Sequence, residues 1–233
     1  MALDIAGVSL GQYQTNCYIV RADAEATEAV VVDPGAQGQA LIGALDERGI
    51  VPVAILVTHY HFDHLGAVAD LAERYGCPVW MCADEAHGLS DPESVFPGQG
   101  VRAWHPDVLL QGDERFELAG IAFETYRAPG HSPAHIAFRA GDDLFSGDVL
   151  FQGSVGRTDL PGGDWPLLER SIEALMRALP PGTRVHPGHG PSTTLGDEFA
   201  TNPFLDGIRA RRAAHAAASS GAGGGAASPG GAR

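Results

Sequence analysis

Lysine is missing from this 233-residue sequence: all 15 basic residues are arginine. That absence excludes Schiff-base chemistry at a lysine and a phosphate-binding loop built around one. Cysteine is scarce as well. Cys17, Cys77 and Cys82 cannot all pair, and three is few for a disulfide framework, so each reads as a small buried hydrophobe. Positive charge is in short supply, with 29 acidic residues against the 15 arginines and a formal net charge of -14. Binding nucleic acid or an anionic membrane requires a basic face, so neither partner is expected. No apolar run is long enough to cross a bilayer, and no basic stretch leads into an apolar core near residue 1. Neither a membrane segment nor a secretory signal is expected, and a reducing cytoplasm is the expected home.

What is present suits one domain with a core large enough to need no staple. Residues 29–33 (AVVVD) form a β-branched run stopped by Pro34 and Gly35, a strand ending in a turn. Leu41, Ile42 and Leu45 have helical spacing, with Gly49 as the terminator. Residues 53–58 (VAILVT) read as a buried strand, and Leu65, Val68, Leu71, Ala72 and Tyr75 as a helix closed by Gly76. Strands are predicted at 78–82, 116–118, 121–126, 136–139 and 144–145. Leu168, Ile172, Leu175 and Leu179 mark a helix with Asp164 and Pro166 near its start. Mixed strands and helices of this kind indicate α/β or α+β layering. From residue 209 the text becomes Ala/Gly/Ser-rich and has no acidic residue. A domain over 1–208 is therefore expected to be followed by a flexible tail over 209–233, whose Ala-rich start can extend a helix by a turn or two.

One segment dominates the chemistry. Thr58-His59-Tyr60-His61-Phe62-Asp63-His64 falls where the apolar strand ends and the amphipathic helix begins. Three imidazoles and a carboxylate within six positions offer the ligand types that zinc, iron and manganese accept. His59 and His61 can point the same way because extended side chains alternate with period two. Burying four such titratable groups at a strand end without a metal is costly. His131 in Gly130-His131-Ser132-Pro133, Asp148 in Ser146-Gly147-Asp148, and His189 in Pro187-Gly188-His189-Gly190 each follow a predicted strand beside a glycine. There the backbone turns tightly and a ligand can approach.

The combination T-H-x-H-x-D-H with His131, Asp148 and His189 resembles the metallo-β-lactamase fold superfamily. The stretches 147–151 (GDVLF), 156–164 (GRTDLPGGD) and 201–204 (TNPF) are similar to its glyoxalase II branch, in particular the short bacterial members. The resemblance implies a four-layer αββα sandwich with a dinuclear metal site at one edge of the sheets. It implies His59, His61 and His131 at a first metal, Asp63, His64 and His189 at a second, and Asp148 bridging, with Asp63 also catalytic. The implied cofactors are two divalent ions, zinc foremost, with iron or manganese as alternatives. The implied function is a metallohydrolase, a thioesterase that cleaves an S-acylated small thiol with a metal-activated hydroxide. The nearest alternative is a mononuclear iron persulfide dioxygenase of the same fold using His59, His131 and Asp148; a lactonase or phosphodiesterase comes next. Full-length glyoxalase II enzymes carry a helical C-terminal domain that contacts glutathione, and nothing here maps onto it, so the acyl carrier stays open. The expected partner is a small acyl-thiol, and the expected assembly a monomer or homodimer.

Three other residues have two readings. Arg157 either binds a substrate carboxylate or pins its Gly-rich loop through Asp159 or Asp164. Asp33 and His135 either orient ligand side chains or act locally, as a turn former and a structural histidine. His87, His105, His186 and His215 lack the spacing and are expected to be structural or exposed.

Overall fold

The computed structural model describes residues 2–221. The chain first builds a six-stranded sheet from β1 (Asp4–Leu10), β2 (Thr15–Arg21), β3 (Glu28–Val32), β4 (Val51–Leu56), β5 (Val79–Cys82) and β6 (Val108–Leu110), in that spatial order. β1 to β3 pair antiparallel, and β3 to β6 pair parallel. Parallel neighbours need crossovers, which α1 (Gly38–Glu47), α2 (Phe62–Leu65) and α3 (Val68–Tyr75) help supply. Two short turns of helix, α4 (His87–Ser90) and α5 (Pro92–Val95), precede β6. The second sheet begins with the meander β7 (Arg115–Leu118), β8 (Ile121–Arg127), β9 (Ile136–Ala140) and β10 (Asp143–Gly147). A small hairpin follows, β11 (Leu150–Phe151) with β12 (Ser154–Val155), and then α6 (Trp165–Ala178). β13 (Arg184–Pro187) joins parallel to β10, β14 (Thr193–Thr194) takes the edge, and α7 (Leu195–Thr201) and α8 (Asp206–Gly221) end the described chain.

Strand periodicity divides the side chains among three cores. In β3, Val30 and Val32 point into the space between the sheets while Ala29 and Val31 point the other way, against α1 and α3. Tyr18 and Val20 of β2 likewise face Phe123, Ile136, Phe138 and Phe145 of the second sheet. Cys17 and Ile19 face Leu41, Leu45 and Leu71 of the helices. On the far side, Ala137, Leu144 and Val185 pack against Leu168, Ile172 and Leu175 of α6. The layers run helix, sheet, sheet, helix, the expected αββα sandwich. All three cysteines are free and buried, as expected.

The strongly patterned elements lie where the sequence predicts them. Asp164 caps α6 by accepting the Leu167 N–H at 2.8 Å, with proline in the first turn. The single helix predicted over 65–75 is instead two. Gly66 and Ala67 donate their N–H groups to Gly35 and Pro34 carbonyls rather than continuing the helix, which separates α2 from α3. The hairpin of β1 and β2 was not predicted, because edge strand β1 is half-exposed and its pattern is weak. The expected boundary after residue 208 also shifts. Ile208 is fully buried, Arg209 donates to the Phe199 and Asn202 carbonyls, and Arg211 pairs with Glu169 and Glu173, so α8 is docked beyond it. The rest of the flexible tail expected over 209–233, residues 222–233, lies outside the described residues. Among the described residues no helix is long and apolar enough to cross a membrane.

Candidate metal centre

Every ligand candidate follows the C-terminal end of a strand, and all these ends meet at one edge of the sandwich. His59, His61, Asp63 and His64 come from the turn between β4 and α2, His131 from the β8–β9 loop, Asp148 from the end of β10, and His189 from the end of β13. Gly147, at φ +48°, turns the chain toward Asp148; a Cβ there would meet Thr58 Oγ1 at 2.5 Å and His135 Nε2 at 2.6 Å. Gly188 leaves room for the cluster itself, since a Cβ there would lie 2.1 Å from Asp148 Oδ1.

His59, His61 and His131 form the first group, with one ring nitrogen from each within 4.8 Å of the others. His61 Nδ1 lies 3.1 Å from His59 Nε2 and 2.9 Å from His131 Nε2. The outer nitrogens set the tautomers. His131 Nδ1 donates to the Arg157 carbonyl at 2.8 Å, leaving Nε2 unprotonated. Thr58 Oγ1 donates to Asp33 Oδ2 at 2.7 Å, so it accepts the His59 Nδ1 proton at 3.0 Å and frees Nε2 as well. One proton on His61 Nδ1 would serve only one of these two lone pairs. Burial foremost, then neighbouring imidazoles, holds His59 well below the usual histidine pKa and His61 down to about 3; burial also lowers His131.

Asp63, His64 and His189 form the second group. His189 Nε2 lies 3.3 Å from Asp63 Oδ2, and His64 Nε2 lies 3.7 Å from it. Asp148 stands between the groups: 3.4 Å from His131 Nε2 on one side, and 3.4 Å and 3.5 Å from His64 and His189 Nε2 on the other. Asp33, at φ +50°, accepts from Thr58 N–H and from His64 Nδ1, which turns His64 Nε2 inward. Burial opposes charge on His64, but Asp148 and Asp33 outweigh it and push its pKa well up. Partial burial opposes charge on His189 too, yet hydrogen bonds to Asp148 and Asp63 raise it to about 9. Burial acts to raise the Asp63 and Asp148 pKa values, but the facing histidines win and lower both, Asp63 to about 2. Even so, His64 Nε2 and Asp148 Oδ1 are buried with no hydrogen-bond partner. Orphaned buried atoms of this kind, facing each other beside three imidazoles held neutral and two ionised carboxylates, fit divalent cations.

The surrounding braces were mostly invisible in the sequence. Thr15 donates to Asp63 Oδ2 at 2.8 Å, while Asn16 and Tyr18 hold the Pro187 carbonyl beside His189. Glu85, fully buried, accepts Tyr60 N–H at 2.8 Å and Ala134 N–H at 2.7 Å, tying the His59–His61 turn to the His131 loop. His135 lies outside both groups: it stacks on His59 and accepts the Asp148 N–H at 3.2 Å. His186 is held by Asp143 and Ser192, away from both groups. Arg157 pairs with Asp159 at the rim of a cleft of about 430 Å³. Tyr13, Phe62, Phe96, Phe151 and Leu160 wall this cleft above His61, Asp63, His131, Asp148 and His189.

The chain is similar to known proteins in sequence and in fold. The profile described as "Metallo-beta-lactamase superfamily" matches residues 10–189. The probable metallo-hydrolase YqgX of Bacillus subtilis (strain 168) is 38% identical over 205 residues, 85% of this chain and 96% of that protein. The hydroxyacylglutathione hydrolase GloC of Haemophilus influenzae (strain Rd) is 35% identical over 211 residues, 88% of this chain and 99% of that protein. Among solved structures, the BLEG-1 B3 metallo-beta-lactamase superposes with a TM-score of 0.82 at 40% identity, covering 87% of this chain and all of the other. The di-iron-bound form of TTHA1623 gives a TM-score of 0.74 at 43% identity, covering 86% of this chain and all of the other.

Proposed function

This chain belongs to the metallo-beta-lactamase superfamily, and from that premise we propose that it is a dinuclear metallohydrolase acting on thioesters of small thiols. The observation that carries the proposal is the position of Asp148, within 3.5 Å of ring nitrogens from both groups. His59, His61 and His131 would hold one ion, Asp63, His64 and His189 the other, and Asp148 both. Zinc suits this mixture of imidazole and carboxylate best, and iron and manganese also accept it. The GloC relative, named for hydroxyacylglutathione hydrolysis, supports the thioester class.

Bound there, two divalent cations supply water of lowered pKa and polarise an acyl carbonyl. The chain's own residues do the rest. Asp33, Thr58 and the Arg157 carbonyl hold the His64, His59 and His131 rings with Nε2 turned inward, so these three need no rotation before binding. The aromatic walls exclude water from the acyl group and orient it over the cluster. Asp63, ionised and lining the cleft, takes the proton released from the attacking water.

The test is metal analysis of protein purified without added metal, together with thioester hydrolysis and oxygen uptake on adding a persulfide. About two metals per chain with hydrolysis and no oxygen consumption is the expected result. One iron per chain with persulfide-dependent oxygen uptake would replace this reading with a mononuclear dioxygenase. Replacing His59 and His61 together by alanine is expected to abolish bound metal; full metal content after that change would overturn the site.

A further inference from the structure

The cleft contains a charged group that the proposed hydrolysis does not use. Arg157 lines it beside His131, and among the described residues lining the cleft it is the one arginine. Lysine cannot substitute, because the chain has none. Apart from the metal-ligand cluster at its floor, the rest of the lining is aromatic and aliphatic, so an anionic group held away from that cluster has one guanidinium to meet. Arg157 is nevertheless occupied: its Nε and Nη2 donate to the two carboxylate oxygens of Asp159 at 2.7 and 2.8 Å.

We propose that Asp159 is an internal stand-in for a substrate carboxylate, and that the cleft selects acyl-thiols carrying such a group by exchanging Asp159 for it on Arg157. This rests on the thioesterase reading for the chemistry, but not for the binding step.

Three features favour exchange over a fixed structural pair. Both side chains are largely exposed, 61% for Arg157 and 68% for Asp159, and an exposed ion pair is weakly held in water. The fork geometry is the one a free carboxylate would adopt, so a ligand can replace Asp159 without redirecting the arginine. The backbone at Arg157 is fixed separately, because its carbonyl accepts the His131 Nδ1 proton at 2.8 Å. The backbone is thereby anchored next to the first group while the guanidinium stays free to change partners. A merely local role would require Arg157 to hold the Gly-rich loop through Asp159, yet Gly163 N–H to the Leu160 carbonyl and Asp164 N–H to the Gly130 carbonyl already close it.

The measurement uses the full-length metal-loaded protein and two thioether analogues that cannot be hydrolysed, alike except that one carries a carboxylate and the other its primary amide. Calorimetry gives the ratio of their affinities. Arg157→Gln is expected to cut the preference for the carboxylate by about tenfold. Asp159→Asn, which removes the competitor and leaves the cation, is expected to raise it by roughly threefold. The opposite signs are the signature, because disturbance of a shared loop would move both variants in the same direction. Equal ratios in all three proteins, or a fall in both variants, would overturn the proposal. Hydrolysis of the matching thioesters is followed in parallel. Opposite shifts in binding without turnover would support the anion site and count against the thioesterase, and turnover without a carboxylate preference would do the reverse.

Discussion

At the scale of single residues, Asp33 shows how much of the centre is controlled from outside it. Its carboxylate serves Thr58 and His64 at once, one ring in each group, and its left-handed backbone is one that asparagine also tolerates. Asp33→Asn can keep the bond from Thr58 N–H, but its amide nitrogen replaces the oxygen that accepts from both Thr58 Oγ1 and His64 Nδ1, so the hold on His64 and the relay through Thr58 to His59 both fail. The expected result is a 10–100-fold loss of affinity at both ions. Chelator competition checks it; unchanged affinity at either ion would refute it. The titration of the metal-free protein follows from the same contacts. His59, His61, His131 and His135 have folded pKa values below the unfolded one, so their stabilising contribution is present above about pH 6.5 and is lost as pH falls toward the folded values. His64 and His189 are raised, so theirs is complete below about pH 6.5 and is lost as pH rises through the folded values, about 9 for His189. Melting temperature in chelator is expected to peak between these limbs, and a monotonic profile from pH 4 to 10 would contradict it. His59, His61 and His64 were legible from their dense spacing at a strand end, and His131, Asp148 and His189 because each follows a strand beside a glycine. Glu85 and Thr15 were not, because each looks like an ordinary polar residue until the fold sets it against a partner 25 to 49 positions away.

At the scale of elements, the sequence marks those whose period is strong on its own. β3, β4 and α6 are of that kind, and their apolar faces are visible without knowledge of their neighbours. β1 and α8 are not: one is a half-exposed edge and the other is mostly alanine and arginine, and both are held by what they dock on. For α8 the docking residues are Ile208, Arg209 and Arg211, with Arg212 over the Phe199 ring. A chain ending at Arg212 is therefore expected to keep its melting temperature. Ending at Gly207 strips a buried isoleucine from its core and is expected to lower it by on the order of 10 °C. Scanning calorimetry on the two truncations decides this, and equal melting temperatures would show that α8 contributes nothing.

At the scale of the whole molecule, the two ligand groups join the halves of the sandwich. Each group draws residues from the first sheet's turn and from the second sheet's loops. Metal binding is thus expected to clamp the sheets together, and an ion that binds only the folded chain stabilises it by mass action. At free metal a hundredfold above Kd the gain is about 2.7 kcal/mol per ion, a rise in melting temperature of roughly 5–10 °C. A melting temperature insensitive to chelator would mean that the centre does not bridge the halves. The layered architecture was readable from alternating elements and motif resemblance. The pairing of β10 with β13 was not, because parallel partners far apart in sequence leave no local trace.

The burial of the three cysteines has a consequence for durability among reactive acyl donors. On the thioesterase reading proposed above the substrate is itself such a donor, and a surface thiolate would attack its carbonyl, taking the acyl group and releasing the substrate's thiol. Burial pushes the Cys17 and Cys82 thiols up and Cys77 to about 11, so at neutral pH almost no thiolate is present to exchange. The folded chain should therefore survive such a substrate without being acylated, taking up no iodoacetamide until it is unfolded and then taking up three.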